Sequence, residues 1–182
     1  MKDKVNVSVK ASSPEELDEL LDKMTPEQIA AIRESCKINV AVLDCIAANI
    51  KEGMSTGQID RMVHEITTDM GGVPAPLGFE GFPKSVCTSV NNQVCHGIPS
   101  EELILQDGDI INVDVSTILD GYYSDASRMF AIGNVDERAQ KITARHSGVC
   151  GAGSERSASM GPSGRYCACH QLPRPGKRLF CS

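Results

Sequence analysis

The 182-residue sequence has no tryptophan, only four phenylalanines and three tyrosines, and no apolar run long enough to span a bilayer. So few rings leave no ladder of aromatic side chains to stack on single-stranded bases, and a net charge of −6 offers phosphate no basic footprint. Neither nucleic acid nor membrane is an expected partner. With no signal peptide, the expected compartment is the reducing cytoplasm. The eight cysteines include no two pairs at finger spacing. Cys167-Ala168-Cys169-His170 is a lone cluster, which argues against a zinc module. Cys36, Cys45, Cys87 and Cys95 fall within apolar periods and read as buried thiols.

The amino-terminal part reads as helices. Ser13-Pro14-Glu15-Glu16, Thr25-Pro26-Glu27-Gln28 and Ser55-Thr56-Gly57-Gln58 each fit a capping box, the first two with proline in the opening turn. Residues 15–23, 26–50 and 56–70 are therefore expected to be helical. Ile59, Met62, Val63 and Ile66 recur at i, i+3, i+4 and i+7, which makes one buried stripe before Gly71-Gly72 ends the helix. Met54, Met62 and Met70 read as core filling.

The most informative segment is INVDVSTILDGYYSDASRMFAI, residues 111–132. Apolar and polar residues alternate around Asp120-Gly121, the signal of a hairpin with a two-residue type I′ loop. With those two residues in the loop, Leu119 faces Tyr122, Asp114 faces Ser127 and Ser116 faces Asp125. Asp114 and Asp125 then share one face as diagonal neighbours, with Cβ atoms about 6–8 Å apart. Two like charges that close repel, and a hard divalent cation is the usual remedy. The plainer reading is the solvent face of an ordinary antiparallel hairpin.

Upstream, FPKSVCTSVNNQVCHGIP suggests a second hairpin with Asn91-Asn92 as its loop, so that Cys87 faces His96. Gly97 and Pro99 would end that strand and leave the imidazole of His96 aimed into a cleft.

TSVNNQVCHGIP followed by INVDVSTILDGYYSDASRMF resembles the type I methionine aminopeptidases of the bacterial kind, with the likeness running from about Ile29, through GGVPAPLGFEGFPKS, to about Lys141. The resemblance implies an α+β, pita-bread fold of two pseudo-symmetric αββ halves around a dinuclear metal centre. Only the amino-terminal half, with helices packed on antiparallel hairpins, would lie in this chain. It implies metal-ligating roles for Asp114 and Asp125, the latter bridging two divalent ions (Co, Mn, Fe or Zn). His96 would contact substrate around the scissile amide, and Pro76, Phe79, Phe82 and Cys87 would line a methionine pocket. Glu80 stands where many members carry histidine. The implied activity is removal of the initiator methionine from nascent polypeptides, at the ribosome, by a monomeric parent enzyme. The general base and the remaining ligands, one histidine and two glutamates, belong to the second half and are not placed here.

Composition changes after Lys141. Residues 1–141 carry 12 Lys/Arg against 23 Asp/Glu, whereas residues 142–182 carry 6 against 1. Periodicity is lost at the same point. One codon choice reads GPSGRYCACHQLPRPGKRLFC in one frame and GHLGDIAHAINSHARENGYSV in the next, the second being family-like. The expected organisation is an amino-terminal extension at 1–24, the first half of the aminopeptidase domain at 25–141, and an out-of-frame, disordered tail at 142–182. On that reading the chain is a truncated, inactive form of a methionyl aminopeptidase. The alternatives are another pita-bread peptidase, of the Xaa-Pro aminopeptidase or prolidase type, and a non-catalytic pita-bread binding module.

Overall fold

The computed structural model describes residues 24–141 and Thr143. The expected helix at 15–23 and nearly all of the 142–182 tail lie outside them. Two helices come first, α1 (Pro26–Asn49) and α2 (Thr56–Asp69). Both begin as the sequence predicts. Thr25 and Ser55 accept from the backbone N–H of Gln28 and Gln58, and each glutamine side chain returns to its cap's N–H. Reciprocal capping satisfies donors that the helix itself cannot.

Four antiparallel strands follow: β1 (Val73–Pro74), β2 (Cys87–Val90), β3 (Ile110–Leu119) and β4 (Tyr122–Ala131). β3 is central. It pairs along one edge with β4 and along the other with β2 and then β1. The β3–β4 register is the one read from the Asp-Gly pair: Leu119 faces Tyr122, Asp114 faces Ser127 and Ser116 faces Asp125. Asp120 and Gly121 take φ of 50° and 86°, the left-handed pair that a type I′ loop requires.

The two helices cover one face of this sheet. Ile111, Val113 and Val115 are fully buried there with Val42, Leu43, Ile46, Ile59 and Val63. Ser124 and Ala126 on β4 are small, and α1 ties down close to them. The Ser35 hydroxyl lies 2.7 Å from that of Ser124 and donates to the Thr117 carbonyl at 3.2 Å, while Thr117 Oγ1 donates to Asn39 Oδ1 at 2.6 Å. Arg128 Nη1 adds a bond to the Leu43 carbonyl at 3.1 Å and to Asp44 at 3.2 Å. Left-handed Gly71 (φ 81°) ends the helix after its cap Met70, and Gly72 is small for a packing reason, because a Cβ there would press on Thr117 Cγ2 at 2.8 Å.

Three expectations are corrected. The segment after Asn91-Asn92 is not a strand: β2 pairs with β3, so Cys87 faces Asp114 instead of His96. His96 adopts φ 54°, which breaks an extended run, and the Gln93 side chain caps the Val90 N–H at 2.9 Å. Met54 and Met62 pack on the core as expected, but Met70, at the exposed end of α2, does not. Of the four cysteines read as buried thiols, Cys36 is buried but disulfide-bonded, Cys45 and Cys87 are half-buried, and Cys95 is exposed.

Candidate functional site

The face of the sheet opposite the helices opens into a cleft of ≈ 800 Å³. All seven residues singled out from the sequence line it: Pro76, Phe79, Phe82, Cys87, His96, Asp114 and Asp125. Each arrives by a local device. Asp114 is carried by the central strand and Asp125 by its hairpin partner, one diagonal step away. The Ser116 hydroxyl donates to Asp125 Oδ1 at 2.9 Å, which fixes that carboxylate. Cys87 stands directly across from Asp114 on β2.

The segment before β2 forms one wall. A short 3₁₀ turn, Phe79–Gly81, is entered through left-handed Gly78 (φ 81°). It leaves Phe79 two-thirds exposed at the cleft mouth. The other end of this segment is anchored on α2. Asp60 accepts the Ser85 N–H at 2.7 Å and pairs with Lys84 at 3.2 Å, and His64 Nδ1 meets the Ser85 hydroxyl at 2.9 Å. His96 reaches the cleft from a loop. Gly97 clamps that loop against β2, its carbonyl accepting the Thr88 N–H at 2.8 Å and its N–H donating to Ser89 Oγ at 3.3 Å. A side chain at position 97 would collide with the Thr88 carbonyl.

Sequence reasoning missed the Asp60 and His64 anchors, Tyr123 and Ile98 at the rim, and the holding role of Ser116. Only Ser116 carried a signal, being the residue opposite Asp125.

The electrostatics are those of two carboxylates held close together. Burial, then the charge of Asp125 and a hydrogen bond shared with it, push Asp114 up from 3.8 to about 6, against a lowering by His96. Asp114 Oδ1 is buried with no hydrogen-bond partner among the described residues. A cation would satisfy that orphan oxygen and the repulsion together, so the pair fits part of a divalent ion's shell. It is only a part. No group of three or more His, Cys, Asp or Glu able to hold a metal ion occurs among the described residues. Cys87 does not make up the difference, because burial first, then Asp114, Asp125 and Cys95, push its thiol up to about 11. It stays protonated near neutrality, and only the thiolate is a good ligand or nucleophile.

With this arrangement in view, the comparisons identify the class. Metallopeptidase family M24 matches residues 30–150, and the chain belongs to that family. It is 47% identical over 127 residues to methionine aminopeptidase 1A of Arabidopsis thaliana, covering 70% of this chain and 32% of that protein. The solved methionine aminopeptidase of Rickettsia prowazekii superposes with a TM-score of 0.61 at 33% identity, over 82% of this chain and 54% of that one. The enzyme of Thermotoga maritima gives 0.68 at 29% identity, over 75% and 53%. The architecture is therefore the pita-bread fold, present as a half. The chain spans about a third of the sequence relative named here and about half of each solved structure. No helix among the described residues is long and apolar enough to cross a membrane.

Proposed function

We propose that this chain is the amino-terminal half of a methionyl aminopeptidase, a metallopeptidase that removes the initiator methionine from nascent polypeptides in the cytoplasm. The observation that carries the reading is the Asp114–Asp125 pair on one face of a cleft, with one buried carboxylate oxygen lacking a partner. The methionine aminopeptidase names of the relatives support the methionyl substrate over an Xaa-Pro one. Retention of both carboxylates speaks against a non-catalytic binding module.

In this reading Asp114 and Asp125 would supply part of the ligand shell of two divalent ions (Mn, Co, Fe or Zn), with Ser116 orienting Asp125. Such ions, when bound, would polarise the scissile carbonyl and acidify water near neutral pH. Pro76, Phe79 and Phe82 form an apolar wall suited to an unbranched thioether side chain, and the protonated Cys87 thiol completes it without competing for the ions. His96, held by the Gly97 clamp, hydrogen-bonds the substrate around the scissile amide. Glu80, between Phe79 and Phe82 on that wall, gives the pocket an acidic rim.

No general base or further ligand is placed among the described residues. We infer that residues 142–182 are translated out of frame, which the charge inversion after Lys141 supports; the family match itself runs on to residue 150. The test is a frame-restored, extended protein assayed with Met-Ala-Ser and with an X-Pro peptide. Chelator-sensitive release of methionine from the first alone is expected. Preferential cleavage of the X-Pro peptide, or metal-free inactivity with retained peptide binding, would replace this reading with one of its alternatives.

A further inference from the structure

Asp114 Oδ1 is not the only buried oxygen on its face of β3 that lacks a donor among the described residues. Asn112 Oδ1, one pleat back along the strand, is in the same position. Residues i and i+2 of a strand point the same way, with Cα atoms about 6.4–6.8 Å apart. Two side chains of this length can lean across such a gap and bring an amide against a carboxylate. The two differ in what they offer. The ionised carboxylate of Asp114 only accepts, whereas Asn112 carries an acceptor and a two-proton donor on one pivot.

Their cross-strand neighbours do not supply the missing hydrogens. Ser89 on β2 and Met129 on β4 face Asn112, while Cys87 and Ser127 face Asp114. Met129 has only a thioether. The Ser89 hydroxyl accepts the Gly97 N–H at 3.3 Å, and neither it, nor the Ser127 hydroxyl, nor the Cys87 thiol reaches either oxygen. Asn112 Nδ2, by contrast, is not among the buried atoms without a partner. A half-turn of the amide about χ2 exchanges its two ends, turning an N–H toward Asp114 and moving the oxygen to where Nδ2 stands. One rotation thus removes two buried unpaired acceptors, each of them costly.

We propose that Asn112 is a positioning residue for Asp114: its amide N–H donates to Asp114 Oδ1 and fixes the rotation of that carboxylate toward the cleft. The inference rests on the metal reading given under the proposed function and extends it to a residue outside the cleft lining. A carboxylate oxygen has two lone-pair sites, so an N–H on one of them leaves the other for an ion. Asn112 and Ser116 then flank Asp114 on its own face of β3 and divide the work. Ser116 holds Asp125, and Asn112 holds Asp114. Loss of such an orienting partner typically weakens metal binding by about 10–100-fold.

The test uses the full 182-residue protein at pH 7.5, with bound Mn²⁺ measured from the fall in the free-ion EPR signal. Asn112→Leu fills the space without a donor and is expected to bind Mn²⁺ about tenfold more weakly, with circular dichroism unchanged. Asn112→Gln returns the amide and is expected to stay within about threefold of wild type. A residue that merely fills space would not separate the two. Urea unfolding in chelator adds a readout free of metal. Asn112→Leu and Asp114→Leu, singly and together, are expected to be non-additive by about tenfold in the unfolding equilibrium constant. Should Asn112→Leu fail to fold, Asn112→Ala replaces it in both measurements. Wild-type Mn²⁺ affinity in Asn112→Leu, equal weakening by Leu and Gln, or additive effects in the cycle overturns the role of Asn112 and leaves the metal reading standing. No Mn²⁺ uptake by the wild type overturns the metal reading and the positioning role with it, and the cycle then shows only whether the hydrogen bond exists.

Discussion

Asp114 and Asp125 are diagonal neighbours across the β3–β4 hairpin, Asp114 opposite Ser127 and Asp125 opposite Ser116. Everything proposed about chemistry depends on that one step. Its first consequence is for stability. An acid raised from 3.8 unfolded to about 6 folded binds its proton more tightly in the native state. Its favourable contribution is thus full below pH 4 and is lost as pH rises through 6. Asp114→Asn is expected to stabilise the metal-free protein by about 1–2 kcal/mol at pH 7.5, after discounting for solvent at the cleft, and to change little at pH 4. Urea unfolding at the two pH values measures this. Equal destabilisation at both would mean that the pair is not strained.

The thiols of Cys87 and Cys95 should differ in reactivity. Cys95 is exposed, whereas Cys87 is half-buried with its thiol pushed up to about 11. Iodoacetamide at pH 8, followed by peptide mass spectrometry, should label Cys95 at least about tenfold faster than Cys87. Asp114→Asn should narrow the gap by removing one of the charges that hold Cys87 protonated.

His96 sits at φ 54°, a conformation that costs a non-glycine residue on the order of 1 kcal/mol. His96→Gly is expected to stabilise the fold by about 0.5–1 kcal/mol in thermal or urea unfolding. In the frame-restored enzyme the same change should cost activity. A stabilised variant with full turnover would remove His96 from the site.

The hairpin and the helix starts were legible because their signals are local. Asp120-Gly121 sets every pairing in β3–β4, and Thr25 with Gln28 or Ser55 with Gln58 closes a cap within one turn. The path of 93–96 was not legible: it is set by the Gly97 clamp on β2 and by a left-handed histidine that no neighbouring residue announces. Nor were Asp60 to Ser85, 25 residues apart, and Ser35 to Ser124, 89 apart, since nothing in either residue names its partner. The pocket residues Pro76, Phe79, Phe82 and Cys87 came from the family resemblance, whereas the residues themselves singled out the two aspartates and, through a hairpin that does not form, His96.

Asp60 offers a check on that hidden architecture. Its buried carboxylate holds the Ser85 N–H and Lys84 at the foot of the pocket wall. Asp60→Ala should cost about 2–3 kcal/mol in urea unfolding, because it strands a buried donor as well as removing an acceptor.

The most direct measurement of the central claim is the melting temperature of the 182-residue protein at pH 7.5, with and without millimolar Mn²⁺, beside Asp125→Asn. If Asp114 and Asp125 are half of a metal centre, the ion relieves their repulsion and fills the orphan oxygen. The wild-type midpoint should then rise by about 3–8 °C and fall back with chelator, while Asp125→Asn shows no rise. An Mn²⁺ shift of the same size in both proteins, or none in the wild type, would contradict the account.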